Sequence, residues 1–137
     1  KYKAKRRAYI MSENLQVTGS FKVRGACYKI SQLSDEEKAR GVIACSAGNH
    51  AQGVALGATH AGVKSLICLP EGAPISKVEA TRRYGAEICL VPGVYDDAYQ
   101  HALKLRDEHA LSSQFLISVL ISSIGRPINL YTSSIIL

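Results

Sequence analysis

Apolar residues in this chain fall in short continuous runs, separated by longer stretches in which they recur at helical spacing. Ala8–Met11 is a short strand-like run, broken by the polar segment that ends at Gly19. Ser20 is placed to cap a helix that reaches about Leu33, because Ala26, Ile30 and Leu33 share one helical face. Ser34-Asp35-Glu36-Glu37 has the pattern of a capping box and predicts a short helix ending at Arg40-Gly41. Apolar strands are then expected at Val42–Cys45, Ser65–Leu69 and Glu87–Val91. Between and after them the spacing predicts helices at Asn49–His60, Ile75–Tyr84 and Asp96–His109, with Pro74 suited to a first turn and Gly85 to a helix stop. Ala98, Ala102 and Leu105 mark the buried side of the last helix. Uniformly apolar strands alternating with helices imply a parallel sheet covered on both faces, a doubly wound α/β arrangement.

Two strand-to-helix junctions carry candidate chemistry. In Thr18-Gly19-Ser20-Phe21-Lys22-Val23-Arg24-Gly25-Ala26, the lysine falls in the first turn of a helix. Partial positive charge on unpaired amides there disfavours an ammonium, and a neutral amine is the nucleophile that Schiff-base chemistry requires. The second junction, Ile43-Ala44-Cys45-Ser46-Ala47-Gly48-Asn49-His50-Ala51-Gln52-Gly53, reads as a buried strand, a tight polar turn and a helix start. Amides in such a turn suit a carboxylate or phosphate. Taken alone, each residue also has a plainer reading: Lys22 as a solvated lysine, Phe21 as core, Asn49 as a helix cap and His50 as a surface histidine. Arg24 reads as structural, and His60, His101 and His109 have no partner spacing.

Together the two motifs resemble the fold-type II enzymes that use pyridoxal 5'-phosphate, which include threonine and serine dehydratases, serine racemase, threonine synthase and the tryptophan synthase β chain. The pattern is nearest to threonine ammonia-lyase (threonine dehydratase) of the short catabolic type. It runs from Glu13 to about His109, through Ala73-Pro74-Ile75-Ser76-Lys77 and Tyr84-Gly85-Ala86-Glu87. The resemblance implies a three-layer, mostly parallel α/β fold of the tryptophan synthase β type, seen here in part. Residues 1–41 would begin the larger, lysine-bearing domain. Residues 42–110 would form the smaller domain that grips the substrate carboxylate, and 111–137 a divergent tail.

It further implies that Lys22 holds pyridoxal phosphate as a Schiff base and later removes the substrate's Cα proton. Phe21 would pack on the cofactor ring, and Asn49 would hydrogen-bond its phenolic oxygen. Ser46, Ala47, Gly48, Asn49 and His50 would grip the carboxylate of a small amino-acid substrate. The products would be a 2-keto acid and ammonia. Serine racemase carries a serine at the position of Ala47, as the base on the opposite face of the cofactor. Alanine has no titratable group, which favours elimination over racemisation. The family's glycine-rich phosphate loop has no counterpart here, so the chain is expected to be a fragment, inactive alone and weak in cofactor binding; full-length members are expected to be homo-oligomers. A different activity on the same fold, or a non-catalytic α/β remnant, are the alternatives.

Charge and cysteine usage narrow the partners. Of the net +6, five charges sit at Lys1, Lys3, Lys5, Arg6 and Arg7, which leaves +1 for residues 8–137. A basic end without interleaved aromatics argues against nucleic acid. Cys27, Cys45, Cys68 and Cys89 have no C-x-x-C spacing. Three of them end or interrupt apolar runs, where a thiol packs as a small hydrophobe; this favours a reducing, cytoplasmic setting over a disulfide framework or a metal site. No run before the tail is long enough to span a membrane, so no membrane partner is expected. Leu111–Leu137 departs from the pattern, with Arg126 its one charged residue. A frame shift, a disordered tail or a divergent β segment would each account for it.

Overall fold

The computed structural model describes residues 10–113 of the chain. A 3-10 turn, Glu13–Leu15, precedes α1 (Lys22–Ser31), α2 (Asp35–Arg40), β1 (Val42–Cys45), α3 (Asn49–His60), β2 (Ser65–Pro70), α4 (Ile75–Arg83), β3 (Glu87–Val91), α5 (Tyr95–His109) and β4 (Ser112–Ser113). The four strands form one parallel sheet in the order β3-β2-β1-β4.

Alternation within the strands divides the core. Val42, Ala44, Ile67 and Leu69 face α3 and α4, while Ile43, Cys45, Cys68 and Val91 face α5 through Ala98 and Ala102. Helix α3 is buried from His50 to Ala58, because α1 covers its far side. A helix enclosed all round needs small residues, and α3 supplies Ala51, Gly53, Ala55, Gly57 and Ala58. Ala26 and Ile30 of α1, and Leu33 just past its end, join the same core as β1 and α3. The expected face of α1 is therefore the one it buries.

The boundaries differ from the sequence reading in a few places, each for a local reason. Ile10 and Met11 lie outside any strand, with Ile10 94% exposed: a strand requires a hydrogen-bonding neighbour, and none stands beside them among the described residues. The rest of that run, Ala8 and Tyr9, lies outside the described residues. Helix α1 begins at Lys22 with Phe21 as its flanking residue, yet Ser20 still does a cap's work, since its Oγ accepts the Lys22 N–H at 3.3 Å. Pro74 flanks α4 with extended backbone instead of entering its first turn. The capping box at Ser34 and Glu37 is formed in both directions. Beyond α5, Ser112–Ser113 adds a short parallel strand to the free edge of β1, so the alternation continues past Leu111. The remainder of the expected divergent tail, 114–137, lies outside the described residues.

Candidate active site

The loop before α1 is built to deliver Lys22. Gly19 turns the chain at φ +64°, a left-handed conformation that suits glycine, and its N–H donates to the Gln16 carbonyl at 2.7 Å. Thr18 and Ser20 are buried, and the Thr18 hydroxyl donates to the Ser20 carbonyl. From the far side the Tyr84 hydroxyl donates to the Val17 carbonyl at 2.9 Å, which ties the loop to the end of α4. Arg24 pairs with Glu13 at 2.9 Å and holds the 3-10 turn against α1, a structural role as the sequence suggests. Lys22 Nζ lies 5.0 Å from the centroid of the Phe21 ring, within cation–π range. Phe21 is 46% exposed. It is therefore not core, and its ring is open to a partner.

The second junction follows β1. The Ser46 N–H donates to the Cys68 carbonyl and closes the ladder between β1 and β2, so the chain leaves the sheet at Ser46. The Ser46 hydroxyl accepts the Gly48 N–H at 3.3 Å and fixes the turn, and the Gly48 carbonyl accepts from Ala51 as α3 begins. A Cβ at Gly48 would meet nothing within 4 Å, so packing does not demand the glycine. Its effect is to leave the backbone open to a ligand at the positive end of a twelve-residue helix. Asn49 is the first residue of α3, the flanking cap being Gly48, and its side chain is exposed. His50 is buried, which excludes a surface role.

The two junctions meet through helix packing. Gly53 of α3 lies against the backbone of Lys22 and Val23, and Gly57 lies against Cys27. Asn49 is one helical turn before Gly53, about 6 Å along the axis. Lys22 and Phe21 are thus set beside the helix whose first turn carries Asn49 and His50. An amine, an open aromatic ring, an exposed carboxamide and a turn with backbone donors fit a flat aromatic aldehyde and the carboxylate of an amino acid. Lys77, to which the sequence assigned no role, also reaches this turn: its Nζ donates to Asn49 Oδ1 at 3.1 Å. The motif containing Lys77 was legible, but only the α3–α4 packing reveals its partner.

A family model described as pyridoxal-phosphate dependent enzyme matches residues 1–124. The chain belongs to this family. Its members use pyridoxal phosphate, and its architecture is theirs. The L-threonine ammonia-lyase of Thermotoga maritima is 52% identical over 100 residues, covering 73% of this chain and 25% of that protein. The catabolic L-threonine dehydratase of Escherichia coli is 52% identical over 89 residues, covering 65% of this chain and 27% of that protein. The chain thus spans little more than a quarter of the length of these relatives. Among solved structures, the processed form of threonine deaminase isoform 2 from Solanum lycopersicum superposes with a TM-score of 0.73 at 42% identity, covering 77% of this chain and 31% of that one. Maize serine racemase superposes with a TM-score of 0.71 at 36% identity, covering 74% and 31%. The family places both dehydratases and racemases on this fold.

Proposed function

We propose that this chain is the lysine-bearing and substrate-gripping part of a pyridoxal-phosphate-dependent ammonia-lyase that converts L-threonine, and L-serine, to 2-ketobutyrate or pyruvate and ammonia. The observation that carries the reading is the seating of Lys22 against α3, whose first turn holds the Ser46–His50 segment. The names of the T. maritima and E. coli relatives support threonine as the substrate. In this reading 1–41 begins the larger domain and 42–110 is the smaller one, with α1 as the element that joins their cores.

When bound, pyridoxal phosphate supplies an electrophilic carbonyl and a ring that takes up the electron pair released at the substrate's Cα. Lys22 Nζ would hold the group and, as a free amine, would take the proton from the substrate's Cα. Phe21 would offer its open ring as a packing surface, and Asn49 would donate to the phenolic oxygen. Ser46, Ala47, Gly48, Asn49 and His50 would bind and orient the carboxylate; the Ser46 and Gly48 N–H groups are engaged in shaping the turn, so the donors would be the Ser46 hydroxyl and the N–H groups of Ala47, Asn49 and His50. Ala47 places a methyl group where a racemase needs a second base, so no side chain there returns a proton to the opposite face; this favours elimination over the activity named for the maize relative.

Reductive trapping tests the reading. The chain is mixed with pyridoxal phosphate, treated with borohydride and digested, and the modified lysine is mapped by mass. An adduct at Lys22 that vanishes in Lys22→Ala, in excess over adducts at exposed lysines, is expected. Labelling of exposed lysines alone would overturn it.

A further inference from the structure

We propose that Lys77 is a positioning residue that fixes the side-chain amide of Asn49 with its NH2 end open, so that this site prefers an anionic oxygen to a protonated one. The inference rests on the reading of Lys22 and Asn49 given above, and it adds to it a residue and a selectivity.

The two ends of a carboxamide have nearly the same shape and opposite chemistry. An ammonium has three donors and no acceptor, so it can pair only with the oxygen end. Lys77 Nζ does so at 3.1 Å, which leaves Asn49 Nδ2 as the end available to a ligand. Nδ2 donates more strongly to a phenolate oxygen than to a neutral phenol, and it offers no acceptor for the phenol's O–H. A cation on the oxygen also draws electron density from the amide and makes Nδ2 a stronger donor.

The ammonium is delivered by a firmly held turn. The Lys77 N–H donates to the Pro74 carbonyl, its carbonyl accepts from the buried Thr81 hydroxyl at 2.8 Å, and the adjacent Val78 sits in the core. Lys77 forms no ion pair with a carboxylate among the described residues, so its charge is directed at the turn.

A double-mutant cycle on the 137-residue chain separates positioning from simple attraction of a phosphate by a lysine. The quantity measured is the pyridoxal phosphate concentration that half-saturates the trapped adduct at Lys22. Losing one charged hydrogen-bond partner predicts a rise of about tenfold in Lys77→Met, and Lys77→Arg should restore the original value. On an Asn49→Ala background, Lys77→Met should add nothing. An equal rise on both backgrounds would show that Lys77 acts as a bare charge and would overturn the inference while the function reading stands. An unchanged half-saturation in Lys77→Met would overturn it likewise. Absence of any Lys22 adduct in the unaltered chain would remove the reading and this inference together. The side-chain amide resonances of Asn49 give a second readout without cofactor: they should move in Lys77→Met and stay near their original positions in Lys77→Arg, and identical spectra for all three chains would count against the hydrogen bond.

Discussion

Gly53 and Lys22 touch backbone to side: a Cβ built on Gly53 would lie 3.1 Å from the Lys22 carbonyl oxygen and 3.0 Å from the Val23 nitrogen. This close approach is what joins the lysine helix to the helix that opens the Ser46–His50 turn. Because the facing atoms are backbone, they have little room to yield.

Alanine at Gly53 should therefore destabilise the chain. Replacing glycine in a helix interior gains about 1 kcal/mol of intrinsic helix preference, but overpacking against backbone costs about 1–3 kcal/mol. We expect a net loss of about 1 kcal/mol in Gly53→Ala, read from the urea midpoint. Gly57→Ala should cost less than Gly53→Ala, since the nearest atom there, at 3.1 Å, is the Cys27 sulfur, which can rotate, and the Cys27 backbone lies farther off, at 3.3 and 3.4 Å. Equal stability of the two variants would refute the close-approach argument.

Much of this molecule was legible before its structure. The apolar runs gave β1 and β3 their residues, and the Ser34–Glu37 spacing gave α2, because these features depend on neighbours a few positions apart. What could not be read depends on pairs distant in the chain. Lys77 and Asn49 are 28 positions apart, Tyr84 and Val17 are 67 apart, and each pair exists only because α4 packs beside α3 and the loop before α1. The burial of His50 follows from α1 covering α3, which no local pattern specifies. Ile10 and Met11 lie outside a strand for a related reason: apolar character makes a strand only where a neighbouring strand is present.

Tyr84 anchors the lysine loop through a single hydroxyl. Tyr84→Phe keeps the ring and removes the bond to the Val17 carbonyl. A net hydrogen bond is worth about 1 kcal/mol, and the loss should concentrate locally. Amide exchange over residues 16–21 should quicken several-fold while the β1–β2 amides keep their protection. Uniform quickening across the chain would mean that the hydroxyl supports the fold as a whole and not the loop.

The capping box makes α2 sensitive to acid. The Ser34 N–H donates to Glu37 Oε2 at 2.8 Å, and this bond holds the Glu37 carboxyl below its ordinary value of 4.5. A carboxylate whose folded value is depressed stabilises the fold above the ordinary value and ceases to do so as pH falls through the depressed one. Glu37→Gln should therefore be less stable than the parent near neutral pH, and the two should converge below pH 4 (a range set by ordinary carboxylate titration). Thermal midpoints measured across that range decide the matter: a constant gap would mean that the charge is irrelevant.

The thiols across the sheet give the opposite dependence on pH. Cys45, Cys68 and Cys89 are in register on three adjacent strands. Burial, reinforced by the neighbouring Cys89 thiol, pushes Cys68 from 9.0 up to about 12. A thiol raised in the folded state must gain its proton back to fold, so the fold keeps this contribution below pH 9 and loses it as pH climbs towards 12. Stability should fall across that window, and the slope should be shallower in Cys68→Ala even though that variant starts lower for want of a packed side chain. At pH 8 the half-buried Cys89 should react with iodoacetamide well before Cys68, which is fully enclosed. Equal labelling of the two in the native chain would show that β2 and β3 open together faster than the reagent reacts, which would contradict a continuous sheet at that row.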